Sequence, residues 1–438
     1  MKDSSMKVGS FSPGQKKSVL HAMAGDDCSL HHDLKQLTSK QQVDHAENQM
    51  LTAALQVALV GLGKPADQVA LVDQFLESPW QALLHHYHQM FEDMALHPVT
   101  LAGMHYLPLA EYYPQVALLN SSADLLNLYM ISGSNAVLHK SEEALAISRN
   151  VNSKLHFARN APAAGIPVPE TQIFTKAGIL RGEADSFFKN HPNGVMLKIL
   201  GLAGARNVLA VAGRHDCDAY IAEYDDALEV LLQEKLDTQR YTEMTVDLTV
   251  SDTEVAINNV RKILFADGKW VGNYFGSEIA PTPSQRDVLL AVGAYARDQG
   301  HVEADGTNCG IDYFVDGDEI IITEINARWT GGLFPAELLR QLAHNGPAVA
   351  FFDTVPVAEL EQLRAFQHAV LYEPGAEQSF AMVPMGFSPF PFPIDGVDQV
   401  VIWQLVLGDL QTFVQAKDEF LSAQAMPTAS VIARGLAE

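Results

Sequence analysis

The chain has 438 residues, of which 47% are hydrophobic and 19% are charged, and this length and composition are typical of a globular protein with several domains. Its formal net charge is -24, and a field of that sign repels polyanions, which argues against nucleic-acid binding. The three cysteines, Cys28, Cys217 and Cys309, form no Cys-x-x-Cys pair. This favours neither a disulfide framework nor a zinc site, and a reducing cytoplasm is the default.

The N-terminal segment 1–30 begins with a polar stretch that contains Lys, Ser and Gly. It lacks the apolar core of a signal peptide, and we predict that it is a flexible leader. No apolar run of the chain reaches the roughly 20 residues that cross a bilayer. We therefore expect a cytoplasmic protein with no membrane segment.

Residues 31–150 begin with apolar residues at helical spacing, among them Leu51 and Leu55, which predicts a helical extension. Farther along, 115–119 (Gln-Val-Ala-Leu-Leu) is typical of a buried strand, and 120–124 of a helix start. Short apolar runs that alternate with helices indicate an α/β lobe.

The next segment carries two lysines in suggestive places. Lys154 begins a predicted helix that ends at the turn 165–171 (Gly-Ile-Pro-Val-Pro-Glu-Thr), and Lys198 lies within an apolar strand followed by a loop with Gly201 and Gly204. Amides of a small-residue loop can approach phosphate oxygens while the lysine supplies charge. An edge-strand lysine beside a flexible hairpin is the more common explanation of this pattern when it stands alone.

The apolar strand 230–236 becomes polar at Gln233 and Glu234, and Glu243 follows after a short polar stretch. A strand end of this kind is a candidate hinge whose backbone groups would recognise an adenine base. Which of Gln233 and Glu234 would face the base stays open.

The segment 310–332 is predicted to be a hairpin that carries acids. Glu324 and Asn326 share one face of a strand. Asp312 joins them if 316–318 is a three-residue loop or a bulge shifts the register, whereas a two-residue turn places it on the opposite face. Oxygen ligands of this kind favour Mg²⁺ or Mn²⁺. The alternative is a solvent-facing strand with turn acids.

In their order along the chain, these motifs resemble those of ATP-grasp enzymes over about residues 115–345. The resemblance implies an α+β and α/β architecture: two α+β lobes that clamp ATP, preceded by an α/β lobe and, here, by a helical extension. The expected units are 1–30 as leader, 31–150 as helical extension and pre-ATP-grasp lobe, 151–235 as lid lobe, 236–345 as metal-binding lobe, and 346–438 as a C-terminal region that completes the catalytic lobe or the substrate site.

The resemblance also implies a reaction in which ATP phosphorylates a carboxylate and an amine captures the acyl phosphate. The expected substrates are small molecules, an amino acid or peptide among them, and a homodimer is the base-rate expectation. A phosphotransferase and an inactive nucleotide-binding protein are the alternatives. The helical extension, the Lys154 region and 326–332 (Asn-Ala-Arg-Trp-Thr-Gly-Gly) are similar to peptide ligases of the pheganomycin-type group.

Site residues follow from the same resemblance. Arg328 and Lys198 are the expected catalytic residues, and Asp312, Glu324 and Asn326 are the expected Mg²⁺ or Mn²⁺ ligands. A basic pair at a strand edge explains Lys262 as well as a phosphate contact does. The expected ATP-binding residues are Lys154, Lys198, Gly201, Gly204, Gln233, Glu234, Leu236, Glu243 and Lys262.

Overall fold

The computed structural model describes residues 5–9, 17–25, 27–139, 141–201, 207–266 and 269–437. Within these ranges the strands form three β-sheets.

The first sheet has five parallel strands in the order β1-β5-β2-β3-β4. Two of them lie in the segment predicted as a flexible leader, so that prediction is wrong for those residues. All four residues of β2 are buried, and β1 and β2 both pair with β5. The strands are β1 Ser5–Val8, β2 Val19–Ala22, β3 Gln68–Val72, β4 Met104–Leu107 and β5 Leu125–Leu128.

The second sheet has four antiparallel strands in the order β6-β9-β7-β8. One face packs its own apolar core, in which Leu197 and Leu232 are fully buried. The strands are β6 Thr171–Thr175, β7 Val195–Lys198, β8 Val208–Val211 and β9 Glu229–Glu234.

The third sheet has nine strands, and its main path runs β14-β13-β10-β11-β12-β15-β18-β16. The C-terminal strands therefore continue the sheet that contains the acidic hairpin. The remaining strand, which contains Pro393, pairs only with β18, as expected of proline at a sheet edge. The strands are β10 Thr242–Val250, β11 Val255–Ala266, β12 Lys269–Phe275, β13 Thr307–Asp316, β14 Glu319–Asn326, β15 Ala348–Pro356, β16 Phe380–Phe387, β17 Phe392–Ile394 and β18 Val397–Gly408.

Helices cover these sheets. The segment 115–119 lies in a helix and not in a strand, so that prediction is wrong; a five-residue apolar run cannot be assigned by periodicity alone. The helices are α1 Asp27–His31, α2 Ser39–Leu62, α3 Trp80–Asp93, α4 Tyr112–Leu119, α5 Glu142–Val151, α6 Lys154–Asn160, α7 Lys176–Leu180, α8 Asp185–Asn190, α9 Arg214–Ile221, α10 Pro283–Asp298, α11 Leu333–Gln341, α12 Leu360–Ala369, α13 Leu410–Phe420 and α14 Pro427–Ala437.

The N-terminal and C-terminal parts of the chain share one apolar core, which runs from the first sheet to β15, β16 and β18. Helix α2 lies directly on β16, where a Cβ added to Gly386 would come within 2.0 Å of the Ala54 carbonyl oxygen. The two ends of the chain are thus packed as one unit. Over the described ranges, no helix combines the length and the apolarity needed to cross a bilayer.

Candidate active site

The acidic hairpin β13–β14 reaches the required register through a bulge. Asp316 pairs with Glu319, so the turn has two residues, and Gly317 takes a positive φ of 56° at its first position, where glycine is favoured. The three-residue loop is therefore wrong. The ladder shifts between Asp312 and Tyr313 because Thr323 is an extra residue, and Asp312 pairs with Glu324. The alternative prediction, that a bulge shifts the register, is confirmed, and the bulge lies at Thr323 and not in the turn.

This pairing extends into a polar row across four strands. Thr245 of β10 pairs with Asp312 on one side and with Arg261 of β11 on the other. Directly opposed residues of antiparallel strands project to the same face. Arg261, Thr245, Asp312 and Glu324 consequently line one face of the third sheet.

Direct contacts join the predicted residues on this face. The Lys154 ammonium lies 2.7 Å from Oε1 of Glu324, so the first residue of α6 reaches the hairpin. Asn326 donates through Nδ2 to Oδ2 of Asp312 over 3.0 Å, and Arg328 donates through Nη2 to Oδ1 of Asn326 over 2.8 Å. The structure therefore brings together Lys154, Asp312, Glu324, Asn326 and Arg328.

Lys198 and Glu243 belong to the same electrostatic cluster. Burial lowers the pKa of Lys198 to about 8, with Glu324 and Lys154 acting on it in opposite directions. Burial and the neighbouring Asp312 carboxylate raise the pKa of Glu243 to about 7. The Lys198 ammonium at the end of β7 and the Glu243 carboxyl at the start of β10 thus interact electrostatically across the junction of the second and third sheets.

The two hairpin carboxyls respond differently to this environment. Burial and the charge of Glu324 raise the pKa of Asp312 to about 6. Burial also opposes ionisation of Glu324, but Lys154 and Lys198 outweigh it and hold its pKa below the usual range. Repulsion of this kind between two half-buried carboxylates is what a divalent cation relieves.

The oxygen donors at this site suit a Mg²⁺ or Mn²⁺ ion that also binds water and phosphate oxygens, and not a metal ion bound by protein ligands alone. Among the described residues, no cluster of three or more His, Cys, Asp or Glu could hold an ion. Asp312 and Glu324 supply two carboxylates, and the side-chain oxygen of Asn326 is an oxygen donor beside them. Mg²⁺ commonly takes one or two carboxylates and completes its shell with water and phosphate oxygens.

The register of the second sheet separates Gln233 from Glu234. Met196 pairs with Gln233, and Lys198 pairs with Leu231, so Gln233 lies on the face of Lys198. Gln233 is buried and donates through Nε2 to the Thr171 hydroxyl over 3.1 Å. Glu234 projects to the opposite face, and Leu236 is buried just after the strand.

The remaining predicted residues divide into three cases. Gly201 follows β7 with a φ of 110° and lies against the His32 ring. Gly204 lies outside the described residues. Lys262 pairs with Met244, on the face opposite to Asp312 and Arg261, so the structure does not bring it to the cluster.

A buried hub beside the cluster was not predicted. Asp247 is fully buried and accepts hydrogen bonds from Arg261, Asn308 and Thr330. Asn308 also donates to the Arg328 carbonyl over 2.8 Å, so the hub fixes the loop that follows β14. The signal was available in β10, because polar residues alternate at 243, 245 and 247 with apolar residues between them.

Comparisons with known proteins agree with this architecture. No protein-family model matches the chain, and no curated protein matches it in sequence. Three solved structures that it resembles have TM-scores between 0.52 and 0.55.

The first is N5-carboxyaminoimidazole synthase from Aspergillus clavatus, in complex with ADP and an aminoimidazole ribonucleotide, with 13% identity over 92% of this chain and 96% of that chain and a TM-score of 0.52. The second is the biotin carboxylase domain of Hydrogenobacter thermophilus 2-oxoglutarate carboxylase, in complex with MgADP and bicarbonate, with 11% identity over 93% and 90% and a TM-score of 0.55. The third is phosphoribosylamine–glycine ligase from Thermotoga maritima, with 11% identity over 93% and 98% and a TM-score of 0.54.

These similarities extend over nearly the whole length of each chain, and they show that this chain has the ATP-grasp fold. At 11–13% identity they define the fold alone.

Proposed function

We propose that the protein is an ATP-dependent carboxylate–amine ligase that works through an acyl phosphate and releases ADP and phosphate. The observation that carries the proposal is the convergence of two lysines, two carboxylates, an asparagine and an arginine at the junction of the second and third sheets. In a chain with a net charge of -24, a cationic group of this kind at an acidic hairpin suits a metal-bound polyphosphate.

In this proposal ATP lies between the second and third sheets. Lys154 and Lys198 neutralise its phosphates, and Gly201 and Gly204 are proposed to contact them. A bound Mg²⁺ or Mn²⁺ would be held by Asp312, Glu324 and Asn326 and would supply charge neutralisation. The adenine contacts fall to the end of β9 (Gln233, Glu234 and Leu236), with Gln233 favoured because it shares the face of Lys198, and Glu243 lies nearby.

The reaction has two steps. An oxygen of the substrate carboxylate attacks the γ-phosphorus of ATP, and the bond from that phosphorus to the ADP oxygen breaks. The amine then attacks the acyl carbon, the carbon–oxygen bond to phosphate breaks, and the nitrogen loses a proton. Arg328 binds the carboxylate and Lys198 balances charge on the transferring phosphoryl group, so both act mainly by positioning and electrostatic stabilisation.

Two structural neighbours are complexes with ADP and with MgADP, which supports nucleotide binding by this fold. The three neighbours act on different small molecules, so the substrate class rests on this chain's own residues. We propose an amino acid or peptide, because 326–332 is similar to the corresponding segment of pheganomycin-type peptide ligases.

The test is ADP formation from MgATP with pools of amino acids and dipeptides, followed by mass spectrometry of the products. The proposal predicts an amide product and ADP only when a carboxylate and an amine are both present. A phosphate ester as the stable product would indicate a phosphotransferase instead.

Glu324→Ala is the matched variant, and we expect it to lower ADP formation at least about 100-fold. Glu319→Ala is its control, because Glu319 lies on the same strand but pairs with the exposed Arg240. Full activity in Glu324→Ala would overturn the metal assignment.

A further inference from the structure

Three protein groups hold the Arg328 guanidinium, one through an ion pair and two through hydrogen bonds. Its Nε lies 2.9 Å from Oδ1 of Asp27. Nη2 donates to Asn326 over 2.8 Å, and Nη1 donates to the Trp329 carbonyl over 3.1 Å. The Asn326 and Trp329 contacts come from its own loop, whereas Asp27 comes from α1, some 300 positions earlier in the chain.

Asp27 is itself fixed in place. Its Oδ2 accepts a hydrogen bond of 3.0 Å from the Tyr129 hydroxyl, and the Tyr129 ring lies 5.5 Å from the Arg328 guanidinium. Only 6% of Asp27 is exposed, so water does not compete for the pair. A second arginine, Arg149, donates through Nε to the Leu30 carbonyl of α1 over 3.0 Å, which anchors the same short helix.

A guanidinium carries five N–H donors, one on Nε and two on each Nη. Two of them donate hydrogen bonds here, which leaves one N–H on Nη1, one on Nη2 and the Nε–H. Because Oδ1 of Asp27 lies 2.9 Å from Nε, its negative charge keeps a second carboxylate away from the side edge of the guanidinium. The end formed by the two Nη nitrogens is what Arg328 can present, and two parallel N–H groups match the two oxygens of a carboxylate.

We infer that Asp27 is the positioning residue of the carboxylate subsite: it locks Arg328 so that its two Nη nitrogens bind a planar carboxylate end-on. This inference rests on the proposed ligase function and makes it more specific, since the first sheet's unit supplies part of the substrate site. Asp27 touches no substrate and acts through Arg328.

The first experiment tests the lock without any substrate. In ¹⁵N-arginine-labelled protein, an Nε–H held beside a buried carboxylate exchanges slowly with water and gives a persistent resonance, which Arg328→Lys assigns by its loss. We expect Asp27→Ala and Asp27→Asn, which both remove the charge of the ion pair, to lose that resonance. Asp33→Ala is the control, because Asp33 is exposed and accepts hydrogen bonds from Lys35 and Gln36 of the short turn that follows it. A resonance that survives in Asp27→Ala overturns the lock.

The second experiment measures ADP formation with MgATP and an equimolar mixture of the twenty amino acids. We expect Asp27→Ala to raise the half-saturating concentration of the mixture about 10- to 100-fold, with the half-saturating ATP concentration changed less than about twofold. Equal changes for both would mean a general structural role and overturn the inference. Should the wild type form no ADP with the mixture, the ligase proposal for amino acids fails, while the resonance still decides whether Asp27 holds Arg328.

Discussion

Asp312 and Glu324 lie directly opposite each other on β13 and β14 because Thr323 is bulged out of the ladder. These two half-buried carboxylates repel each other, and burial together with that repulsion raises the pKa of Asp312 to about 6. The protein tolerates this cost on one face of the hairpin, which is typical of a functional site.

The first prediction concerns the metal. Asp312→Asn removes one carboxylate and keeps the shape of the side chain, so MgADP should stabilise the variant no more than ADP alone does. In the wild type, Mg²⁺ should add about 2–3 kcal/mol to the free energy of unfolding when the complex is near saturation. Urea unfolding with ADP, with and without Mg²⁺, measures this. Asp316→Asn is the control, because the Asp316 side chain lies on the same strand but is exposed. This variant should retain the full Mg²⁺ effect.

Much of this site could be predicted from local sequence patterns. Glu324 and Asn326 are two residues apart on a strand, so alternation alone indicated that they share a face. Lys198 was noticeable because it interrupts an apolar strand. The turn could not be predicted, because a two-residue turn and a bulge at Thr323 produce the same pairing as an odd loop does.

Contacts between distant segments were beyond the sequence. Asp27 belongs to a segment that was predicted to be flexible, and its bond to Arg328 depends on how the first sheet packs on the third. The strand Val19–Ala22 has only four residues, too few for a periodic signal. In the basic pair of β11, Arg261 and not the predicted Lys262 lies on the face of Asp312.

The second prediction concerns Lys198, whose pKa is lowered to about 8 by burial. The free protein carries the ammonium below this pKa and loses it as pH rises. The dissociation constant of ATP should therefore be constant up to about pH 7 and increase as pH passes 8. Equilibrium titration of the protein with ATP at pH values between roughly 6.5 and 9.5, which bracket the lowered pKa of Lys198, checks this. Lys198→Arg should bind ATP without this pH dependence, and the exposed Lys189→Ala should behave as the wild type does.

The third prediction concerns the loop after Arg328. A Cβ added to Gly332 would lie 2.0 Å from Nε of the buried Arg261, although the φ of Gly332, -82°, suits any residue. Gly332→Ala should therefore act through lack of space and lower the free energy of unfolding by about 1–3 kcal/mol, measured by urea unfolding. Gly213→Ala is the control, since a Cβ there meets nothing within 4 Å. Equal stabilities for both variants would contradict the tight packing of this loop on Arg261.

The last prediction concerns pH-dependent stability away from the site. Burial raises the pKa of Asp353 to about 6, even though three backbone N–H groups, two of them at the start of α14, donate to its carboxylate. The folded state then binds a proton more tightly than the unfolded chain, so this group makes stability fall as pH rises from about 4 to about 6, by roughly 1–3 kcal/mol.

Asp353→Asn should remove that slope in urea unfolding measured across the same pH range. Asp409 provides the opposite case, because its hydrogen bond with Thr412 lowers its pKa and its contribution to stability is lost as pH falls. In Asp409→Asn, the fall in stability with rising pH that Asp353 causes should therefore persist. The loss of stability that protonation of Asp409 causes at lower pH should be absent. A wild-type slope in Asp353→Asn would mean that the three backbone donors, rather than burial, dominate at Asp353 and keep its carboxylate ionised.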